Sequence, residues 1–186
     1  DEPAPYREWS SRARWVTPVD GDTELQASID GFHDWRTRGT DFTENRTNGA
    51  DASVRLVGRG AWQWSALGYW QWRNLMSSFA SVSAGRTEAN RVSLQYSVPS
   101  HALGGSFEVR PPMPDGIELR VGADTRRATG ESREFFSYVD GDPTRRRAAG
   151  GDSWTAGAYA EATAELGGAT LTGGARIDHW TVSNGH

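Results

Sequence analysis

Between residues 126 and 147 the chain gathers Arg126, Arg127, Arg133, Phe135, Phe136, Tyr138 and the run Arg145-Arg146-Arg147. Guanidinium forks grip carboxylates and phosphates through paired N–H donors, and aromatic faces stack on planar or cationic groups. The segment is therefore the first candidate for holding an anionic small molecule. A solvated loop is the plainer reading of the same residues. A second, weaker group is Trp35, Arg36 and Arg38 with Asp41.

Other chemistry is thin. The histidines His33, His101, His179 and His186 are far apart, and none has zinc-ligand spacing. Asp20-Gly-Asp22 and Asp140-Gly-Asp142 show half a calcium loop without the remaining ligands, which favours turns. Gly58-Arg-Gly60 lacks the third glycine of a dinucleotide fingerprint and precedes a strand. No serine or histidine sits in a nucleophile motif. The expectation is no catalytic residue, no metal, no cofactor and no enzyme. A net charge of −4 argues against a generic nucleic-acid binder. All twenty basic residues are arginine, which reflects coding bias more than chemistry.

The elements that carry these residues alternate. In Trp62-Gln-Trp-Ser-Ala-Leu-Gly-Tyr-Trp-Gln-Trp72, one face takes Trp62, Trp64, Ala66, Gly68, Trp70 and Trp72, and the other takes Gln63, Ser65, Leu67, Tyr69 and Gln71. Tryptophans at both ends of an apolar face match the two aromatic girdles of a membrane-spanning strand. The same period recurs over 9–17, 25–35, 52–59, 92–109, 117–124, 154–165 and 171–181, with a flip near Pro99, which makes about eight strands. No apolar run approaches the roughly 18 residues of a spanning helix. Short connections (18–23, 58–61, 111–116, 167–169) alternate with long polar ones at about 37–50, 75–91 and 128–152. That segregation by end is expected of a transmembrane barrel and not of a sandwich. The fold class expected is all-β: an antiparallel up-and-down transmembrane β-barrel. The phase of the turns puts both chain ends on the long-loop side, as in a slice of a larger barrel.

Val54-Arg-Leu-Val-Gly-Arg-Gly60 before the tryptophan strand resembles the barrel of TonB-dependent outer-membrane receptors. So do Leu119-Arg-Val-Gly-Ala-Asp124 and Leu171-Thr-Gly-Gly-Ala-Arg-Ile-Asp-His-Trp180. The resemblance implies a 22-strand barrel, of which residues 1–186 would be a partial domain without the plug and the other strands. It implies a bacterial outer-membrane location, a scarce nutrient as cargo (a ferric siderophore most often) and energy from the TonB complex through the plug. Outer-membrane lipid and lipopolysaccharide would be partners, and the arginines of 126–147 could instead bridge lipopolysaccharide phosphates. Lumen-facing charges of mixed sign (Arg55, Arg59, Glu118, Arg120, Asp124, Glu161, Glu165, Arg176, Asp178) would line the inner wall or meet the plug. The competing expectations are a soluble β-sandwich or lectin-like binding module, and a passive porin-type barrel.

Overall fold

The computed structural model describes residues 3–85 and 87–186. They form β1 (Tyr6–Pro18), β2 (Thr23–Thr37), β3 (Glu44–Arg59), β4 (Gln63–Val82), β5 (Ala89–Arg110), β6 (Ile117–Val139), β7 (Asp142–Leu166) and β8 (Ala169–Ser183). All eight lie in one antiparallel sheet in chain order, so each strand pairs with its sequence neighbours. This is the up-and-down arrangement that the alternation predicts. No second layer covers either face among the described residues, which leaves a sandwich core without a place.

The register shows why the sequence alternates. Ala13, Ile29, Ala52, Trp70 and Leu103 stand opposite one another in successive ladders, and so do Trp15, Ala27, Val54 and Gly68. Further along, Val121 meets Ala160, and Ala160 meets Ala175. Opposed residues share a face, so these rows make one continuous apolar surface. Trp70 is 40% exposed, Leu103 64% and Ile177 76%. The other face takes Asp30 opposite Asp51, Glu108 opposite Gly122 and Arg120 opposite Glu161.

Trp64, Trp70 and Trp72 lie on the apolar face of β4. Trp62 instead sits in the bend at 60–62 that precedes the strand. Histidines join the upper border of this surface. His33 stacks on Trp9, His101 lies beside Trp70, and His179 meets Trp154 edge-on.

Two expectations need correction. The phase flip on β5 falls not at Pro99 but where Gln95 and Ser97 take consecutive partners on β6 and Leu75 and Ser77 shift against β4. A bulge at Tyr96 reverses the alternation there. The three long connections are also mostly strand: β2 runs to Thr37 and β3 starts at Glu44, β4 runs to Val82 and β5 starts at Ala89, and only residues 140–141 separate β6 from β7. The segment 128–152 is a hairpin closed by Asp140-Gly141, with φ of 51° and 88°. That pair suits the turn whose twist matches its strands. Beyond the apolar band both faces of these strands mix aromatic rings with charged and polar residues, so the period-two signal disappears while the ladder continues.

Glycines let large rings lie flat on neighbouring strands. A Cβ added to Gly49, Gly104 or Gly122 would strike the ring of Phe32, Tyr69 or Tyr159. Seated over Gly122, Tyr159 donates its hydroxyl hydrogen bond to Glu108 at 2.6 Å. Replacing Gly122 by valine should lift this ring and cost about 1–3 kcal/mol of stability. Gly68→Ala meets nothing within 4 Å and should stay within about 0.5 kcal/mol. Urea unfolding of the two variants in micelles checks this, and equal midpoints would remove the packing role assigned to Gly122.

Candidate functional site

The polar face neutralises most of its own charge. Arg73 meets Asp51 at 2.6 Å. Arg110 lies 3.2 Å from both Glu108 and Glu118, and Arg120 stands within 4.0 Å of Glu108, Glu118 and Glu161. Arg176 forks onto Asp124 at 2.8 and 3.1 Å and also holds Asp178. Exposed pairs of this kind each contribute little. As a mesh they give a hydrated wall of mixed sign, without a ring of one sign to select ions. Arg55, Arg126 and Glu165 make no salt bridge among the described residues.

Strand alternation divides the arginine-rich segment of β6 and β7. Phe136 stands opposite Arg145 and Glu134 opposite Arg147, in the ladder that carries Asp124 and Gly157 on the polar face. Arg127, Arg133, Phe135 and Arg146 fall on the opposite face. There Arg127 pairs with Asp152 at 3.4 Å, Arg133 pairs with Glu131, and Phe135 stacks on Tyr96 at 4.5 Å. Arg126 is on the polar face but ten positions below Phe136, about 33 Å along a strand. It cannot touch the same small molecule as Arg145. The sequence candidates are therefore several places, not one.

Two of those places combine a guanidinium with a ring. Arg147 lies over Phe136 at 5.1 Å and bonds Glu134, while Arg145 beside it has no ion pair among the described residues. Nearby, Arg91 lies over Phe42 at 4.9 Å and Tyr138 at 6.0 Å, with its buried Nε left without a partner. Neither Arg91 nor Phe42 stands out in the sequence, because only the fold brings residues 42, 91 and 138 together. Of the second sequence group, Arg36 bonds Asp34 (Nε to Oδ1 at 2.8 Å), and Trp35 points its Nε1 at Glu44, 3.4 Å away. Arg38 donates to the Ser78 carbonyl at 2.8 Å and lies over Phe79 at 5.4 Å. These three are braced by their neighbours and do not meet the 126–147 group in any contact among the described residues. Asp20 is a turn residue: the amides of Asp22 and Thr23 donate to its carboxylate.

Glu134 is buried at 6% exposure, five positions beyond Thr129, which is in register with Trp72 through His101. Burial alone would push its carboxyl up. The Ser93 hydroxyl and Arg147 outweigh that and hold it below the usual carboxylate range. A carboxyl held low stabilises the folded hairpin above its unfolded value, about 4.3. That contribution fades as pH falls through the lower folded value. Protection of the amides of residues 133–148 from hydrogen exchange, taken relative to the intrinsic rate at each pH, should therefore fall below about pH 4. Arg147→Gln should bring the onset to higher pH, and protection that stays constant from pH 6 to pH 3 would contradict the assignment.

The chain matches the family model described as TonB dependent receptor-like, beta-barrel, over residues 2–186. Two solved structures share its fold. One is described as the copper transporter OprC, with a TM-score of 0.75 and 17% identity over 97% of this chain. The other is FpvA of P. aeruginosa bound to a heterologous pyoverdine with iron, with a TM-score of 0.75 and 12% identity over 98% of this chain. The chain spans 30% and 31% of those two proteins. No curated protein sequence matches it. With a model matching from residue 2 to residue 186 and a sheet of the same architecture, the chain belongs to the TonB-dependent receptor-like β-barrel family.

Proposed function

We propose that this sheet is part of the wall of an outer-membrane barrel whose receptor captures a scarce nutrient and imports it with TonB-derived energy. The observation that carries the reading is the single-layered sheet itself. It has one continuous exposed apolar face, one ion-paired face, and strands that run far past the apolar band at one end only. A spanning strand needs about 9–11 residues, whereas β6 has 23 and β7 has 25. The projecting hairpins are the outward side, and the polar face is the inner wall along which cargo passes. A plug belonging to the same protein would sit against that wall and connect the receptor to the TonB complex.

The cargo we favour is an anionic metal chelate, a ferric siderophore foremost. Arg145 with Phe136, and Arg91 with Phe42 and Tyr138, present charge and ring faces suited to a chelate's carboxylates or planar groups. A bare ion has fewer soft ligands to draw on, since the sequence holds no cysteine and two methionines. The two structural neighbours between them handle both metals: iron with pyoverdine in FpvA, copper in OprC.

Two experiments test this reading. Lipids brominated on their acyl chains should quench Trp70 and leave Trp180, on the polar face, unquenched in single-tryptophan variants of the full receptor. Equal quenching would remove the membrane reading. Uptake of radiolabelled iron chelates and of copper by cells carrying Phe136→Ala/Arg145→Ala should fall about tenfold for the cognate cargo, the size expected from losing a charge-assisted contact. Uptake of every candidate at the wild-type rate would sink the capture role.

A further inference from the structure

On the polar face near the turns, β3, β4 and β5 enclose a hollow of about 340 Å³. Its rim carries arginine on both sides, Arg55 and Arg59 on β3 and Arg110 on β5. Between them β4 contributes the uncharged Gln63 and Ser65. The register fixes this shape. Gln63 stands opposite both Arg59 and Arg110, and Ser65 stands opposite both Val57 and Glu108. β3 and β5 are two strand spacings apart, about 10 Å, so long side chains from either strand border one floor.

The acids at this level are already engaged. Glu108, the carboxylate that lines the hollow, accepts from the Arg110 Nε at 3.2 Å and from the Tyr159 hydroxyl at 2.6 Å. Glu118 accepts from Arg110 as well, at 3.2 Å. Glu24 accepts from Arg59 at 3.2 Å and from the Gln26 amide at 2.6 Å. Arg55 stands opposite Gln26 and Leu67. It has neither a salt bridge nor a side-chain hydrogen bond among the described residues. Gln63 and Ser65 likewise make no side-chain hydrogen bond among them. One guanidinium and two neutral donors therefore stay uncommitted around a concave floor.

We propose that this hollow is a release-side site, where a carboxylate of the cargo chelate is held between the capture hairpins and the periplasm. The proposal rests on the transport reading above and deepens it with a second place that holds the chelate's negative charge. Arg55 is four positions from the end of β3, about 13 Å along the strand, which is the end where cargo leaves. Arg145 at the hairpin and Arg126 between the two lie on the same face and also lack a salt bridge among the described residues. An anion moving down this wall thus meets a guanidinium without an acid at three heights. At the lowest, the Arg55 fork matches a carboxylate through paired N–H donors, and the Ser65 hydroxyl and Gln63 amide replace lost water. A plug carboxylate or a free anion would be recognised by the same donors, and the test separates these sources.

The chain has no cysteine, so Ser65→Cys in the full receptor sets a thiol on the floor of the hollow. The probes are an anionic sulfonatoethyl and a cationic trimethylammonioethyl methanethiosulfonate, applied to energised cells. Mass spectrometry of the peptide bearing residue 65 gives the labelling rates. Corrected for reactivity with a free thiol, the anionic reagent should react at least about tenfold faster, the size of a charge-assisted contact. Arg55→Gln should remove most of that preference, and Arg55→Lys should keep most of it. Citrate, a tricarboxylate, should slow the anionic labelling when Arg55 is present and not in Arg55→Gln.

Equal rates for the two reagents, or a preference that survives Arg55→Gln, would overturn the site. Protection by inorganic phosphate as strong as that by citrate would mean an adventitious ion only. A thiol that neither reagent reaches in energised cells would give the hollow to the plug and overturn the proposal as well. In the uptake assay with radiolabelled iron chelates, Arg55→Gln should lower the maximal rate severalfold and leave the half-saturating concentration unchanged, since capture occurs at the hairpins. Wild-type uptake in Arg55→Gln alongside a fall in Phe136→Ala/Arg145→Ala would overturn this site alone. Wild-type uptake in both would overturn the capture reading and this site together.

Discussion

Hydrogen bonding from strand to strand supplies nearly all the cohesion this chain has by itself. Ala102 is the one apolar side chain among the described residues that is buried; large apolar groups such as Trp15, Leu171 and Ile177 stand open. A water-soluble domain of this size would normally hide a core, and its absence here has a physical meaning. In hydrocarbon a backbone donor or acceptor cannot turn to solvent, so unbroken ladders are what allow a strand to cross. The apolar side chains meanwhile need no protein cover. The ladders satisfy the backbone, and the surroundings supply the burial that other folds find inside themselves.

The side chains then settle how well neighbouring strands fit. Tyr69 on Gly104 and Tyr159 on Gly122 place a ring where the partner has no side chain, which presses adjacent strands together on the polar face. The ion-pair mesh from Glu24 to Asp178 stitches the same face without adding much stability pair by pair. It also keeps a wall rich in arginine from becoming repulsive. Above the band, where solvent wets both sides, rings and guanidinium groups take over: Tyr96 with Phe135, Arg147 with Phe136 and Glu134, Arg91 with Phe42. The change from ladder-only cohesion to clustered side chains marks the change of solvent along each strand.

Legibility in the sequence follows that same boundary. Within the band, the rule of one face to hydrocarbon and one to water writes a period of two into the residues. The strands, their faces and the four tight turns could therefore be read directly. Past the band the rule lapses, so Ala128–Val139 and Asp142–Asp152 read as polar loop although they are paired except at Ser137 and Thr144. The arginine cluster read as one site for the same reason. Without a period there was no sign that Arg146 and Arg133 face away from Arg145 and Phe136.

Residue order alone decided the class of fold, the number of strands and, within the apolar band, which side chains share a face, because each depends on contacts between a residue and its immediate neighbours. Tertiary structure alone decided the register and the bulge at Tyr96. It also decided the meeting of Arg91 with Phe42 and Tyr138. Those features join residues tens of positions apart, and their geometry follows from how far each strand slides against the next, a quantity that no single strand encodes.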